Sequence, residues 1–138
     1  MQRDPELVAF VERMYDVFAT GSPDVVAGMI ASDPEVLGIG TDPAEWWVGG
    51  AVEDAFRAQV PQMHAAGMRF RAGAIQAYRE GSIGWVADQP ALEMPDGNRL
   101  PMRMTLVCRR DGDAWRMLQF HLSIGARNED ALGTELTI

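Results

Sequence analysis

Asp88 and Arg103 stand on either side of Asp96-Gly97, the strongest hairpin signal in the chain. A two-residue turn there sets Asp88 opposite Thr105, Pro90 opposite Arg103 and Val86 opposite Val107. Side chains alternate faces along a strand, so these six share one face of a sheet. A four-residue loop over residues 111–114 then sets Thr105 against Phe120, Val107 against Leu118 and Arg103 against Leu122. The resulting wall is apolar, with Asp88, Arg103 and Thr105 as its polar set, which is the make-up of a small-ligand pocket. A slip of one residue in either turn would move the whole set to the other face. Three chemistries are open to the pair. Asp88 and Arg103 can form a cross-strand salt bridge with no ligand. Arg103 can hold a carboxylate in two-point fashion, with Thr105 beside it. Asp88 can act as a general acid or base, although a neighbouring guanidinium would lower its pKa and work against proton transfer.

Two tryptophans, Trp46 and Trp47, point to opposite sides if the backbone is extended there, so one of them packs over a pocket mouth. Trp47, with Phe56, Phe120 and Leu122, completes the set expected to line a ligand. Trp115, Met117, Gln119, His121, Met104, Leu106 and Cys108 fall on the second face in this register. That face is also rather apolar, and a sheet apolar on both sides cannot leave both in water. One side is expected to pack helices and the other a second copy of the chain, giving a homodimer through the sheet. His121 then reads as a core or interface residue, and Cys108 as an inert packing residue. Nine methionines suit either gap filling or a compliant cavity.

Composition removes other classes. The chain has 20 acidic and 12 basic residues, a net charge of −8, and every basic residue is Arg. The absence of Lys excludes Schiff-base chemistry, a pyridoxal-phosphate anchor and a P-loop lysine. The negative charge is repelled by phosphate backbones, so no nucleic-acid partner is expected. One Cys excludes an internal disulfide and a cysteine-rich zinc site, and the two His have no ligand spacing, so no metal is expected. No cofactor is expected either, because Gly38-Ile39-Gly40 lacks the third glycine of a dinucleotide fingerprint. Neither a membrane-length apolar run nor a basic, apolar leader is visible, so the expectation is a cytoplasmic chain with no membrane partner.

The elements that must position these residues are read as follows. Asp4-Pro5 starts a helix and Gly21 ends it, with Leu7, Val11, Met14 and Phe18 as its apolar stripe. Ser22-Pro23 starts a short second helix, and residues 36–40 form a short strand. Residues 41–50 read as a loop carrying the tryptophans. A third helix follows, with Val52, Phe56, Val60 and Met63 on one side and a kink expected at Pro61. Residues 68–79, 83–94, 100–110 and 115–124 read as four long strands, and the tail from Gly125 as loose. The 138 residues suit one domain, with helices over about 5–66, the strand meander over about 68–124 and a tail over 125–138. Helices followed by an antiparallel meander define an α+β fold. Strands this long coil strongly, and a curved sheet closed over by helices leaves a conical interior.

This plan resembles the nuclear transport factor 2-like superfamily, and within it the SnoaL-like branch, related to the association domain of calcium/calmodulin-dependent kinase II. The resemblance is carried by residues 103–112 (Arg-Met-Thr-Leu-Val-Cys-Arg-Arg-Asp-Gly), by residues 115–123 (Trp-Arg-Met-Leu-Gln-Phe-His-Leu-Ser) and by the Gly40 to Trp46 segment (Gly-Thr-Asp-Pro-Ala-Glu-Trp). It implies a cone with a cystatin-like curved sheet, packed against three N-terminal helices and dimeric through the sheet. Members include ketosteroid isomerases, polyketide cyclases, dehydratases and non-catalytic binding domains, so the fold does not fix the function. Tyr15 lies near where ketosteroid isomerases carry an oxyanion-binding tyrosine, and cyclases and isomerases of this type use an Asp in the cone. The resemblance therefore makes Tyr15 and Asp88 the candidate catalytic pair. The kinase association domain places an arginine near the position of Thr105, two residues from Arg103. The expected role is binding of a small, partly apolar organic acid or ketone, with cofactor-independent isomerase, cyclase or dehydratase chemistry. The alternative is a non-catalytic ligand-binding or association domain.

Overall fold

The chain enters its first helix as Asp4-Pro5 requires. In the computed structural model, which describes residues 1–137, α1 (Pro5–Thr20) opens with Asp4 Oδ1 accepting from the Leu7 amide at 3.0 Å. Such a cap contributes about 1 kcal/mol. Gly21 closes the helix in the left-handed conformation, its N–H donating to Val17 O. The stripe Leu7, Phe10, Val11, Met14, Tyr15 and Phe18 is buried. A five-residue α2 (Pro23–Ala27) follows, then α3 (Gly50–Ala65), which buries Val52, Phe56 and Val60 and continues past Pro61. No helix among the described residues is long and apolar enough to cross a membrane.

The architecture is α+β. A seven-stranded sheet takes the order β1-β5-β6-β9-β10-β2-β3. Its strands are β1 (Gln2–Arg3), β2 (Leu37–Ile39), β3 (Trp46–Val48), β5 (Gln76–Glu80), β6 (Ile83–Asp88), β9 (Arg103–Asp111) and β10 (Ala114–Ser123). A second sheet of three short strands, β4 (Arg69–Arg71), β7 (Ala91–Glu93) and β8 (Arg99–Pro101), takes the order β4-β7-β8. Outside both sheets, residues of the tail form a short exposed helix, α4 (Asn128–Leu132).

Three of the long strands expected from the sequence are therefore broken at one level. The first breaks over residues 72–75 around Gly73, the second at Gln89-Pro90 and the third at Met102. Pro90 has no N–H for a sheet ladder, but its carbonyl accepts from Met102 N at 2.9 Å, so the breaks stay stitched together. Beyond this seam the strands turn away as the small sheet and close the cone. The segment read as a loop around the tryptophans contains β3, which pairs antiparallel with β2, and β2 in turn pairs parallel with β10.

Register decides which side chains look inward. The turn at Asp96-Gly97 holds three residues, not two. Met94 N donates to Asn98 O and Gly97 N to Met94 O, leaving Pro95, Asp96 and Gly97 as the loop. Gly97 sits at φ +86°, the left-handed position that a three-residue hairpin loop needs. The extra residue shifts the pairing by one, so Asp88 faces Met104 and Ala87 faces Thr105. At residues 111–114 the register is as expected, with Arg110 facing Trp115, but Asp111 and Ala114 pair as well, so the loop is Gly112-Asp113 and not four residues. A bulge at Leu118 then inserts one residue into β10, and beyond it Phe120 faces Leu106 and Leu122 faces Met104. The inner face thus carries Val86, Asp88, Met104, Leu106, Cys108, Trp115, Met117 and Phe120, all buried. Arg103 and Thr105 lie on the outer face and are exposed, which corrects the expectation that they join Asp88 inside.

Candidate functional site

Between α3, the inner face of the large sheet and the small sheet lies a cavity of about 230 Å³. Its wall is aromatic. Phe18 packs edge-on against Phe56 and Phe70, with ring centroids 5.9 and 5.1 Å apart, and Phe56 packs edge-on against Phe120 at 5.0 Å. Trp47 and Leu122 complete the wall on the sheet side, and Met63, Met68 and Met102 on the other. Trp47 turns inward because it pairs with Gly38 across β2, which leaves its neighbours Trp46 and Val48 facing out. Of the residues expected to line a ligand, Trp47, Phe56, Phe120 and Leu122 are on this cavity wall. Phe120 and Leu122 arrive there only because the bulge at Leu118 offsets the shifted register.

Tyr15 and Asp88 are brought together, but away from this wall. The Tyr15 hydroxyl donates to Asp88 Oδ2 at 2.7 Å and lies 3.6 Å from Met104 Sδ. Gly73 N donates to the same Asp88 oxygen at 3.2 Å. Both residues are only 5% exposed. Phe70 stacks on the Tyr15 ring at 5.4 Å and separates the pair from the cavity. Burial, then the hydrogen bond to Asp88 and its negative charge, hold the Tyr15 phenol far above its ordinary range. The expected Asp88–Arg103 ion pair does not form. Among the described residues no salt-bridge partner of either side chain is present, and Asp88 Oδ1 is buried without a protein partner. Both border a shallow outer groove with Gln76, Gln89 and Thr105. Cys108 is fully buried on the inner face, and burial pushes its thiol up to about 12.

The polar groups that do reach the cavity are Thr41, Glu45 and Gln59. Sequence alone does not single them out, because the Thr41 to Glu45 run reads as an ordinary turn. One signal was available: Gln59 lies one turn from Phe56 and Met63 on the inward stripe of α3, where an apolar residue is the rule. Glu45 Oε2 accepts from Gln59 Nε2 at 2.6 Å, and Oε1 accepts from Asp42 N at 2.8 Å and from the Thr41 hydroxyl at 3.5 Å. Asp42 Oδ1 in turn accepts from Ala44 N at 2.8 Å, which fixes the turn that carries Glu45.

The family described as a SnoaL-like domain matches residues 7–127. No curated protein matches the sequence. Among solved structures, the fold is similar to an NTF2-like protein of unknown function from Pseudomonas putida KT2440, with 18% identity and a TM-score of 0.75 over 91% of this chain and 88% of that one. It is also similar to a protein from Thiobacillus denitrificans named as a candidate calcium/calmodulin-dependent protein kinase type II association domain, with 25% identity and a TM-score of 0.69 over 90% and 97% of the two chains. A candidate dehydratase of the NTF2-like family from Streptomyces avermitilis gives 15% identity and a TM-score of 0.72 over 87% and 94%.

Proposed function

We propose that this chain, which belongs to the SnoaL-like domain family, binds a small, flat and mostly apolar organic molecule inside its cone. The observation that carries this reading is the aromatic cavity itself. A concave, mostly aromatic space of about 230 Å³ with a few polar groups at its edge has the make-up of a small-molecule site. It exceeds the ~150 Å³ that holds a single aromatic ring and falls short of the ~300 Å³ at which drug-sized pockets begin. At interior packing density it accommodates about two fused rings.

The binding reading is favoured over acid–base catalysis by Tyr15 and Asp88. Neither residue lines the aromatic cavity, and the phenol proton is already engaged by Asp88. A substrate held in that cavity would have to displace Phe70 and break this hydrogen bond before it met either group. The neighbours named for dehydration or association lend the alternatives their plausibility, but their names describe those proteins alone.

Titration with naphthalene, followed by the methyl resonances of the nine methionines, tests the reading. Met63, Met68 and Met102 should shift with a Kd of roughly 10–100 µM, while Met14 and Met117, which do not line the cavity, stay still. Ala55→Phe, which projects a ring from α3 into the space, should abolish the shifts. Unmoved resonances at saturating naphthalene would sink the proposal.

We propose further that two copies pair through the outer face of the large sheet. Trp46 and Val48 there are 63% and 56% exposed. They continue through the half-buried Leu37, Ile39 and His121, which are adjacent in register, into a broad and partly apolar surface. Light scattering at micromolar concentration should return twice the chain mass, and Trp46→Glu should return the monomer. A monomeric parent protein would end this part of the reading.

A further inference from the structure

The cavity has one charge. Glu45 is the only ionisable side chain lining it among the described residues, and none of those residues forms an ion pair with it. The three groups that hold Glu45 are neutral donors, which orient the carboxylate without cancelling its charge. Oε2, which accepts only from Gln59, retains acceptor capacity, because each carboxylate oxygen offers about two lone-pair sites. Gly40 makes this placement possible. A Cβ there would lie 2.8 Å from both Cβ and Cδ of Glu45, so the glutamate folds back over the end of β2 only because the position is glycine. The one cation expected to greet a ligand, Arg103, is on the opposite face of the sheet. The surrounding field has the same sign as Glu45, at a net charge of −8.

Resting on the binding function proposed above, we infer that the ligand is an aromatic or aliphatic amine, whose apolar body fills the cone and whose ammonium donates to Glu45. Organic acids, the class suggested by Arg103 in the sequence, are excluded by the same carboxylate. An ammonium gains a charge-assisted hydrogen bond at a half-buried rim, whereas a carboxylate would have to approach Glu45 with no cation between them.

Three probes of one shape separate the possibilities: naphthalene, 2-naphthylmethylamine and 2-naphthoate, each titrated at pH 7 against the methionine methyls. The amine should bind at least about tenfold more tightly than naphthalene, and naphthoate at least about tenfold more weakly. Glu45→Gln should bring amine and hydrocarbon within about twofold of one another, with the dispersion of the methionine methyl resonances reporting an intact cone. In the unaltered protein, raising the salt from 20 to 300 mM should weaken the amine alone, a check independent of any substitution. Equal affinity for amine and naphthalene, or a preference for naphthoate, overturns the amine assignment and leaves the apolar cavity standing. Silence from all three probes overturns both.

Discussion

Tyr15→Phe is expected to destabilise the fold by about 2–3 kcal/mol, although it removes a single oxygen atom. The hydroxyl is the stronger of two donors to a carboxylate that is almost wholly buried and has no cation beside it. A hydrogen bond to a charged group contributes more than a neutral one, and its loss leaves a buried charge short of compensation. The cost therefore arises at Asp88 and not at the ring, which keeps its stack on Phe70. Combining Tyr15→Phe with Asp88→Asn should recover at least half the loss, because a neutral amide is easier to bury than an under-solvated carboxylate. Urea unfolding midpoints for the two single variants and the double one form the cycle. A loss below about 0.5 kcal/mol for Tyr15→Phe would mean that the carboxylate is satisfied by other means.

The second large effect appears in alkali. With no Lys in the sequence, the residue type that most often titrates between pH 9 and 12 is missing. Cys108 and Tyr15 then stand out. Both are neutral when protonated, and the folded protein resists ionising either, chiefly because they are buried. The raised values mean that the unfolded chain gives up these protons first. Their stabilisation is complete well below pH 9.0, the pH at which the unfolded thiol is half ionised, and is lost as pH rises. Stability should fall by about 1.4 kcal/mol per pH unit from there, and by about twice that above pH 10.0, where the unfolded phenol joins. By pH 11.5 the loss is about 5 kcal/mol, a large part of a typical domain's margin. Cys108→Ala should flatten the segment between pH 9 and 10, and Tyr15→Phe should remove the added steepness above 10. A stability profile that is level from pH 8 to 11 would contradict the burial of both groups.

The helical half was legible because its signals are local. Asp4-Pro5, Gly21 and the Leu7, Val11, Met14, Phe18 stripe act within one or two turns of chain, and α1 begins and ends where they place it. The sheet half depends on counting, and an error of one residue there inverts a face. Asp96-Gly97 marks a hairpin, but the dipeptide alone does not say that Pro95 belongs to the loop as well. That single residue carried Arg103 and Thr105 to the outside. The bulge at Leu118 leaves no trace in composition, because Met117, Leu118 and Phe120 are apolar on either side of it. The breaks at Gly73 and Pro90 were visible as residues that serve a strand interior badly. Read that way, they predict short strands where long ones were expected. Trp47 and Phe56 needed no register, since one follows from alternation beside Trp46 and the other from helical period. Glu45 was hidden for a different reason: a carboxylate in a polar turn is ordinary, and what sets it apart is the glycine beneath it and the glutamine across from it.

The seam at Gly73, Pro90 and Met102 separates two tasks that a single continuous sheet would have to share. The large sheet presents Asp88 to Tyr15 of α1, so its curvature there is committed. Beyond the seam the small sheet contributes Phe70 and Leu92 to the chamber, and Phe70 also stacks on Tyr15 and packs edge-on against Phe18 of α1. Leu92, with Met102 at the seam, makes none of those aromatic contacts, so substitutions at these two positions can reshape the chamber while the Tyr15–Asp88 pair stays in place. On this scaffold, selectivity for a guest molecule can drift without endangering the host.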